Sequence, residues 1–451
     1  MVWNGAAEFK LPASYFPTSS TGSTITVGSG SPYATIQQGI AAAEKAGASR
    51  VLVAAGTYNE NDVIGAADKG LTISAASGGV TLVGSISINN TSSITISGLT
   101  LQGNGSNVAI TAIGSQGVTI TDNSFTGTGE GVVLDGTTGS SVSDNLITNT
   151  AGSAIEAKNG ANNDTFDSNV ITGVGAVDTI GAIDLHGANN DSITHNAISN
   201  TTGAAISLRD FSPPGTTTTQ NNNDVIAYNS LTGVDTTSQD SGAVYILGRS
   251  QNQHTGDQVT MNFISGVGSV GVWHSVGIYL DDNTSGVSVT SNVLQASSTL
   301  VYAFQIHGGS NDVVSGNIFD LGTGSTGFGL LQEDQGDQVP VGTIAQLTND
   351  AVSGNIFATE STAPHNPAFD NLTGGRGNLS ISGNDYWAFS KATLNVSGSG
   401  ANGDVAAKYV APASAAAASE TSYAGWSGAG IGFKAIDTSL IGPAPSGAHP
   451  Y

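Results

Sequence analysis

The 451-residue chain has no cysteine, so disulfides and thiol chemistry are excluded and the redox compartment stays open. It has few cations: 11 Lys plus Arg stand against 34 Asp plus Glu, a formal charge of −23. That balance lacks the broad positive surface that nucleic acids and anionic membranes need, and neither is expected as a partner. An anionic substrate is still allowed, since a local cationic pocket can sit in an acidic field. Charged residues of both signs make up only 10% of the chain, so the solvent faces must be built from Ser, Thr, Asn and Gly. No run of about 18 apolar residues occurs, so no membrane-spanning helix is expected. The opening MVWNGAAEFK lacks the basic and apolar regions of a signal peptide. An extracellular or periplasmic location is expected nonetheless, as a mature form or through another export route.

What is abundant is a repeated phrase: polar, Val or Ile, two residues, Asn, one residue, then Ile, Leu or Phe. It occurs as TITDNSF, SVSDNLI, FDSNVI, ITHNAI, IAYNSL, VTMNFI, VTSNVL, VSGNIF twice, and ISGNDY. Its asparagines are Asn123, Asn145, Asn169, Asn196, Asn229, Asn262, Asn292, Asn317, Asn355 and Asn384, spaced by 22 to 38 residues. A phrase recurring at that period, in β-rich runs broken by Gly, Asn and Asp, predicts a parallel β-helix of about a dozen coils. Equivalent positions then stack into columns, and the asparagines are expected to form an inward structural ladder.

Residues 1–30 read as an irregular N-terminal extension. In YATIQQGIAAAEKAGASRVLVAAGTY, Ile36, Ile40 and Ala43 recur at helical spacing, Gly47 is a stop, and Val51-Leu52-Val53 is a strand. Such a helix would cap the open end of the first coil. The capped β-helix is assigned to residues 31–386, and a C-terminal cap or tail to 387–451. Loops longer than a regular coil fall near 211–223, 250–275 and 333–349, where functional segments are often placed.

The combination YATIQQGI…VLVAAGTYNE followed by these coils resembles the N-terminal signature of the pectin-lyase-like superfamily. The resemblance covers about residues 25–386 and implies a right-handed parallel β-helix. It leaves function open, since that superfamily holds glycoside hydrolases, polysaccharide lyases, uronan epimerases, esterases and phage tailspikes.

About ten residues after each Asn a second strand is predicted. Aligned by apolar alternation, these strands read VVLD (132–135), IEAK (155–158), IDLH (183–186), ISLR (206–209), VYIL (244–247), IYLD (278–281), FQIH (304–307) and FGLL (328–331). First and third residues face inward; second and fourth face out. One outward column is then Val133, Glu156, Asp184, Ser207, Tyr245, Tyr279 and Gln305, ending at Gly329. Beside it run Asp135, Lys158, His186, Arg209, Leu247, Asp281 and His307, ending at Leu331, with Arg249 two residues past Leu247. The strip spans on the order of 34 Å, enough for several sugar units. Rare residue types gathered on one face point to a groove for a polysaccharide or oligosaccharide.

Residues 240–294, DSGAVYILGRS to VGIYLDDNTSGVSVTSNVL, resemble β-helix glycoside hydrolases of the fucosidase/xylanase type. That resemblance implies a catalytic pair of Asp240 and Asp281, with Asp282 as a substitute. One carboxylic acid would protonate the leaving oxygen, and the other would act as nucleophile or base. Straight strands separate Asp240 and Asp281 by about 15 Å, further than the roughly 5–9.5 Å of glycosidase pairs. Glu333 and Asp334 are the alternative partners. Trp273, next to His274, is positioned to stack on a sugar ring.

A second reading uses Lys158, Asp184, His186, Arg209 and Tyr245. Lyases and C5-epimerases need a cation for the uronate carboxylate, a base for H5 and an acid such as Tyr. Asp184-Leu185-His186 resembles the Asp-x-His element of uronan epimerases, but no Tyr precedes the Asp in its strand. Glu156 and Asp184, about 5 Å apart in one column, also allow a retaining carboxylate pair. A third reading is a non-catalytic glycan binder. No metal-ligand spacing of His or Cys occurs and no cofactor is expected, although calcium held by surface Asp and Asn stays open. No long trimerisation segment follows the coils, so a monomer is expected. Glycoside hydrolysis of an extended, acidic polysaccharide is the leading expectation.

Overall fold

The computed structural model is an all-β solenoid. It describes residues 23–320 apart from 177–178, 211–220, 239, 249–254, 270, 272–273, 283, 296–299 and 301, then 329–334, 349–359, 369–371, 380–382, 385–388 and 402–403. Three strand series recur. One, with strands such as Thr119–Thr121 and Ser141–Ser143, forms a 15-stranded sheet. The others, such as Ser124–Thr126 and Glu130–Asp135, join into a 23-stranded assembly. Among the described strands every pairing is parallel and joins equivalent positions of successive coils, as in Phe125 with Ile147 and Ile147 with Ile171. The middle residues Ile120, Val142, Phe166, Ile193, Ile226, Val259 and Val289 form one buried inward column. Each such side chain contributes roughly 1.5–3 kcal/mol of transfer free energy.

The repeated phrase is the corner between the first two series. The residue before each Asn adopts a left-handed conformation, with φ of 56° at Asp122, 55° at Asp144, 54° at His195 and 59° at Tyr228. This turns the chain and points the Asn inward. From Asn145 to Asn355, each amide oxygen accepts from the backbone N–H and side-chain amide of the preceding Asn; for Asn229 and Asn262 both distances are 3.0 Å. The second amide hydrogen reaches a strand carbonyl one coil back, such as Ile193 O at 2.9 Å from Asn229 Nδ2. Every buried polar group of the corner is thereby bonded. Asn384 lies outside the described residues.

Five residues before the asparagines runs a second ladder that the sequence reading missed. Asp164, Asp191, Asp224 and Asp257 are buried on four successive coils, and Asp312 and Asp350 on two later ones. Each Oδ1 accepts a backbone N–H from the coil before, as in Asp191 N to Asp224 Oδ1 at 2.8 Å.

The predicted cap is the helix α1, Ile36–Ala46. Thr35 Oγ1 accepts from Gln38 N, Glu60 accepts from Ile36 N and Gln37 N, and left-handed Gly47 ends the helix. Ile36, Ile40 and Ala43 are buried against the first coil. Thr24–Val27 pairs with Arg50–Val53, so the solenoid already begins within the span read as an extension. Asn402–Gly403 pairs with Ser380 and Ile381, so the first sheet continues past residue 386. Most of 1–30 and 387–451 lies outside the described residues.

The third series carries the candidate face: β1 Glu130–Asp135, β2 Ile155–Lys158, β3 Ile183–His186, β4 Ile206–Arg209, β5 Ser241–Leu247, β6 Ser275–Asp281, β7 Tyr302–His307 and β8 Gly329–Asp334. From β1 to β7 the register is the one read from apolar alternation. At β8 that reading is three residues out. Gln305 pairs with Gln332, Ile306 with Glu333 and His307 with Asp334, so the columns end at Gln332 and Asp334 rather than Gly329 and Leu331. The run GLLQED offers two apolar registers, and pairing geometry selects one.

Candidate active site on the outward face

The two outward columns exist, but they do not form an open groove along their whole length. Among the described residues the β1–β2 end is the accessible one; from β3 to β7 most outward side chains are buried. The cause is aromatic: Tyr245, Tyr279 and Tyr302 cluster with Ala204, Leu247 and Val276 on the outer side of the sheet.

At the accessible end, Lys158 Nζ pairs with Glu156 Oε2. Burial pulls the Lys158 ammonium down, but its bond to Glu156 outweighs this and its pKa lies above the ordinary lysine value. Glu130, which the sequence reading did not select, stands at the start of β1. Burial, then the charge of Glu156, pushes its carboxyl up. Its sequence signal was a carboxylate one coil away from Glu156.

In the middle, Arg209 and Asp184 satisfy each other. Arg209 Nε donates to Asp184 Oδ1 at 2.7 Å, Nη2 donates to Oδ2, and Ser207 Oγ also donates to Oδ1. Asp184 is 1% exposed and Arg209 8%. Neither is presented to a sugar, which corrects the expectation that Asp184 is catalytic and Arg209 binds a substrate carboxylate. A bidentate buried pair of this kind holds strands β3 and β4 together. His186 is half-buried at the end of β3.

The densest chemistry lies on β5 to β7. Asp281 is 4% exposed. Its Oδ2 accepts from Tyr245 Oη at 2.6 Å, and its Oδ1 faces His307 Nδ1 at 2.5 Å and accepts from Asp282 N at 2.8 Å. Burial pushes this carboxyl up, but the His307 bond and charge and the Tyr245 and Tyr279 hydroxyls outweigh it, so its pKa lies below the ordinary value. Tyr279 Oη lies 3.4 Å from His307 Nδ1. Burial and then the charge of Asp281 push the hydroxyls of both tyrosines up, so they remain protonated donors.

Asp240 bonds to His274: Nδ1 lies 3.1 Å from Asp240 Oδ1, and Nε2 lies 2.8 Å from Gln305 Oε1. The His274 ring meets Tyr279 and Tyr302 edge-on at 5.5 and 5.7 Å between centroids. His274 was read only as a neighbour of Trp273. The signal was the register Ser241 with Ser275, which puts the preceding residues Asp240 and His274 side by side. Among the described residues no hydrogen bond or ion pair joins Asp240 to Asp281; His274, Tyr279 and His307 link them.

Asp281, Asp282 and His307 offer donor atoms within 4.8 Å of one another, a set that could hold a metal ion. The close His307–Asp281 contact shows that the set is also self-satisfied. Asp282, with φ of 43°, is the turn residue that ends β6. Arg249 and Trp273 lie outside the described residues, as does the side chain of Glu333, whose backbone pairs with Ile306.

Coils, corner ladders and the β1–β8 face define the class: this chain has a right-handed parallel β-helix fold. A family model described as "Right handed beta helix region" matches residues 84–252. No curated protein matches the sequence. Among solved structures, the PL6 family polysaccharide lyase Pedsa3628 from Pseudopedobacter saltans aligns with a TM-score of 0.51 at 13% identity, covering 75% of this chain and 87% of that one. The Agl-KA catalytic domain aligns with a TM-score of 0.54 at 15% identity, covering 76% of this chain and 64% of that one. The A-module of the mannuronan C-5 epimerase AlgE4 from Azotobacter vinelandii aligns at 0.46 and 16% identity, covering 81% of this chain and 93% of that one. At such identities the likeness concerns the fold alone.

Proposed function

We propose that this protein is a carbohydrate-active enzyme that acts on an extended polysaccharide lying across the outward face, with His307 as its proton-transfer group. The observation that carries this reading is the state of Asp281. A buried carboxylate held by Tyr245 and His307 cannot approach a sugar carbon, but it can orient and charge-stabilise an imidazole. With Nδ1 donating to Asp281, the tautomer of His307 places a basic Nε2 at the other end of the ring. Its side chain retains 14% exposure, against 6% for Asp281.

An Asp–His pair beside a protonated tyrosine suits removal of a proton next to a carboxylate. On a uronate, His307 Nε2 takes H5. Breaking the C4–O bond, with that proton passed from His307 to the leaving oxygen, completes β-elimination. Reprotonation of C5 from the opposite face completes epimerisation instead. The fold is shared with a polysaccharide lyase, and a polymeric substrate suits an extracellular or periplasmic enzyme. Among the described residues no helix is long and apolar enough to cross a membrane.

A hydrolytic reading rests on a different observation. Glu130 is raised while Glu156 is ion-paired to Lys158 at the accessible end. Two carboxyls whose environments differ in this way are the arrangement for an acid and its partner carboxylate.

The test is digestion of a panel of acidic and neutral polysaccharides, followed by reducing ends, absorbance near 235 nm and proton NMR. Absorbance or C5 inversion that vanishes in His307→Gln supports the first reading. Reducing ends without absorbance, lost in Glu130→Gln and kept in His307→Gln, would replace it with hydrolysis.

A further inference from the structure

The outward face does not begin at β1. Val63, Ser87 and Thr111 extend the column of Val133 toward the cap helix. Beside that extension, where the strands Gly56–Ile64, Val80–Asn89 and Thr100–Gln102 meet, lies an open-sided cavity of about 450 Å³. Its size falls within the roughly 300–1,000 Å³ of small-ligand pockets. Register puts Asn59, Val83 and Gln102 in one column across it, on successive coils. Glu60 and Asn61 line it from the first coil and Asn104 from the third. Among the described residues that line it, none is Lys, Arg, His or aromatic.

The walls of this cavity are fixed by specific contacts. At Gly84 an added Cβ would lie 1.8 Å from Glu60 O, so only glycine lets the first two coils close the floor at backbone level. Asn107 Nδ2 donates to Gly84 O at 2.9 Å and its Oδ1 accepts from Asn104 N at 3.1 Å, which ties the loop after Gln102 to that floor. Glu60 is held by Ile36 N and Gln37 N of the cap helix. The exposed side chains of Asn59 and Gln102, in contrast, form no hydrogen bond among the described residues.

We propose that this pocket is a second carbohydrate site, which takes a short run of neutral sugar units. Each free amide offers donors and an acceptor, the complement of neighbouring sugar hydroxyls. Val83 between them gives an apolar patch for the C–H face of a ring. An acidic sugar is disfavoured, because the Glu60 carboxylate repels it and no lining cation answers it. From the middle coil of the pocket to that of His307, successive strand pairings cover on the order of 38 Å. The site therefore shares no residue with the proposed catalytic group and does not rest on that reading. With no aromatic ring to stack on, the expected dissociation constant is about 1 mM.

The experiment is a saturation-transfer NMR titration of the full chain with cellotetraose, maltotetraose, mannotetraose and galactotetraose, and with tetragalacturonate as the acidic comparison. At least one neutral tetrasaccharide should bind. Asn59→Ala combined with Gln102→Ala should weaken it about tenfold by removing the free amides, while His307→Gln leaves it unchanged. Displacement by a polysaccharide that the protein turns over would assign the pocket to a neutral stretch of that same chain; failure to displace would assign it to a separate glycan, and both outcomes support the site. Silence from every neutral tetrasaccharide overturns the proposal. Binding that survives the double variant, or is lost in His307→Gln, also overturns it by placing the sugar elsewhere. Turnover plays no part in the binding readout, so this proposal and the catalytic one fail separately.

Discussion

Asp191→Asn should stabilise the fold at pH 8 and leave it little changed, or slightly weaker, at pH 4. Asp191 is 1% exposed, accepts from Asp164 N at 2.7 Å through Oδ1, and has no hydrogen-bond partner for Oδ2 among the described residues. Burial, assisted by the charge of Asp164, pushes its carboxyl up to about 8. In the unfolded chain the same group titrates near 3.9. The folded state therefore holds the proton more tightly, and stability falls as pH rises between about 4 and 8. Below that window the proton is bound in both states; above it, in neither. At about 1.4 kcal/mol per pH unit the ceiling is roughly 6 kcal/mol. Local relaxation lowers such figures, so we expect on the order of 2 kcal/mol at pH 8. Asparagine keeps the acceptor for Asp164 N and replaces the charge by an amide, whose extra donor costs about 1 kcal/mol if unbonded. The assay is urea unfolding followed by circular dichroism at pH values from 4 to 8. A midpoint difference between variant and parent that does not change with pH, or a variant weaker at pH 8, would refute an aspartate ladder that holds protons.

Further predictions concern the asparagine ladder and the candidate site. Asn229→Ala removes the bonds to Ile193 O and Asn262 Oδ1 and leaves Asn196 N without its acceptor; a loss of about 3 kcal/mol in urea unfolding is expected. Arg209→Met strands the buried Asp184 carboxylate and should cost about 3 kcal/mol, while the double variant with Asp184→Leu recovers most of it. Tyr245→Phe deletes the 2.6 Å bond to Asp281 and lets that carboxyl rise. Since Asp281 must be ionised, turnover that is lost as pH falls should be lost at a higher pH in this variant, with the alkaline side of the profile unmoved. Gly39→Ala places a methyl 2.3 Å from Val27 Cγ2 under the cap helix, and should lower stability by about 1–3 kcal/mol in thermal melts.

The solenoid was legible because its signal is local and repeated. A left-handed corner followed by an inward Asn must recur in every coil, and alternation at period two sets the register from β1 to β7. The cap helix was legible for the same reason: Ile36, Ile40, Ala43 and Gly47 are neighbours in sequence. Where alternation was ambiguous, at β8, the register was missed. The aspartate ladder was missed because a buried Asp and a surface turn Asp look alike in a Gly- and Asn-rich turn.

Sequence alone therefore determined the coils, the inward and outward faces, and the residue types brought to one strip. It could not say which outward side chains meet a substrate, because facing away from the core is not the same as facing solvent. Tertiary packing decided that. Three tyrosines on neighbouring coils cover the middle of the strip, which buries Asp281 as the partner of His307, pairs Asp184 with Arg209, and brings in Asp240 through His274. Those outcomes depend on the free energy of burying charge. That cost is met by partners 25 or more residues away, and no local pattern records them.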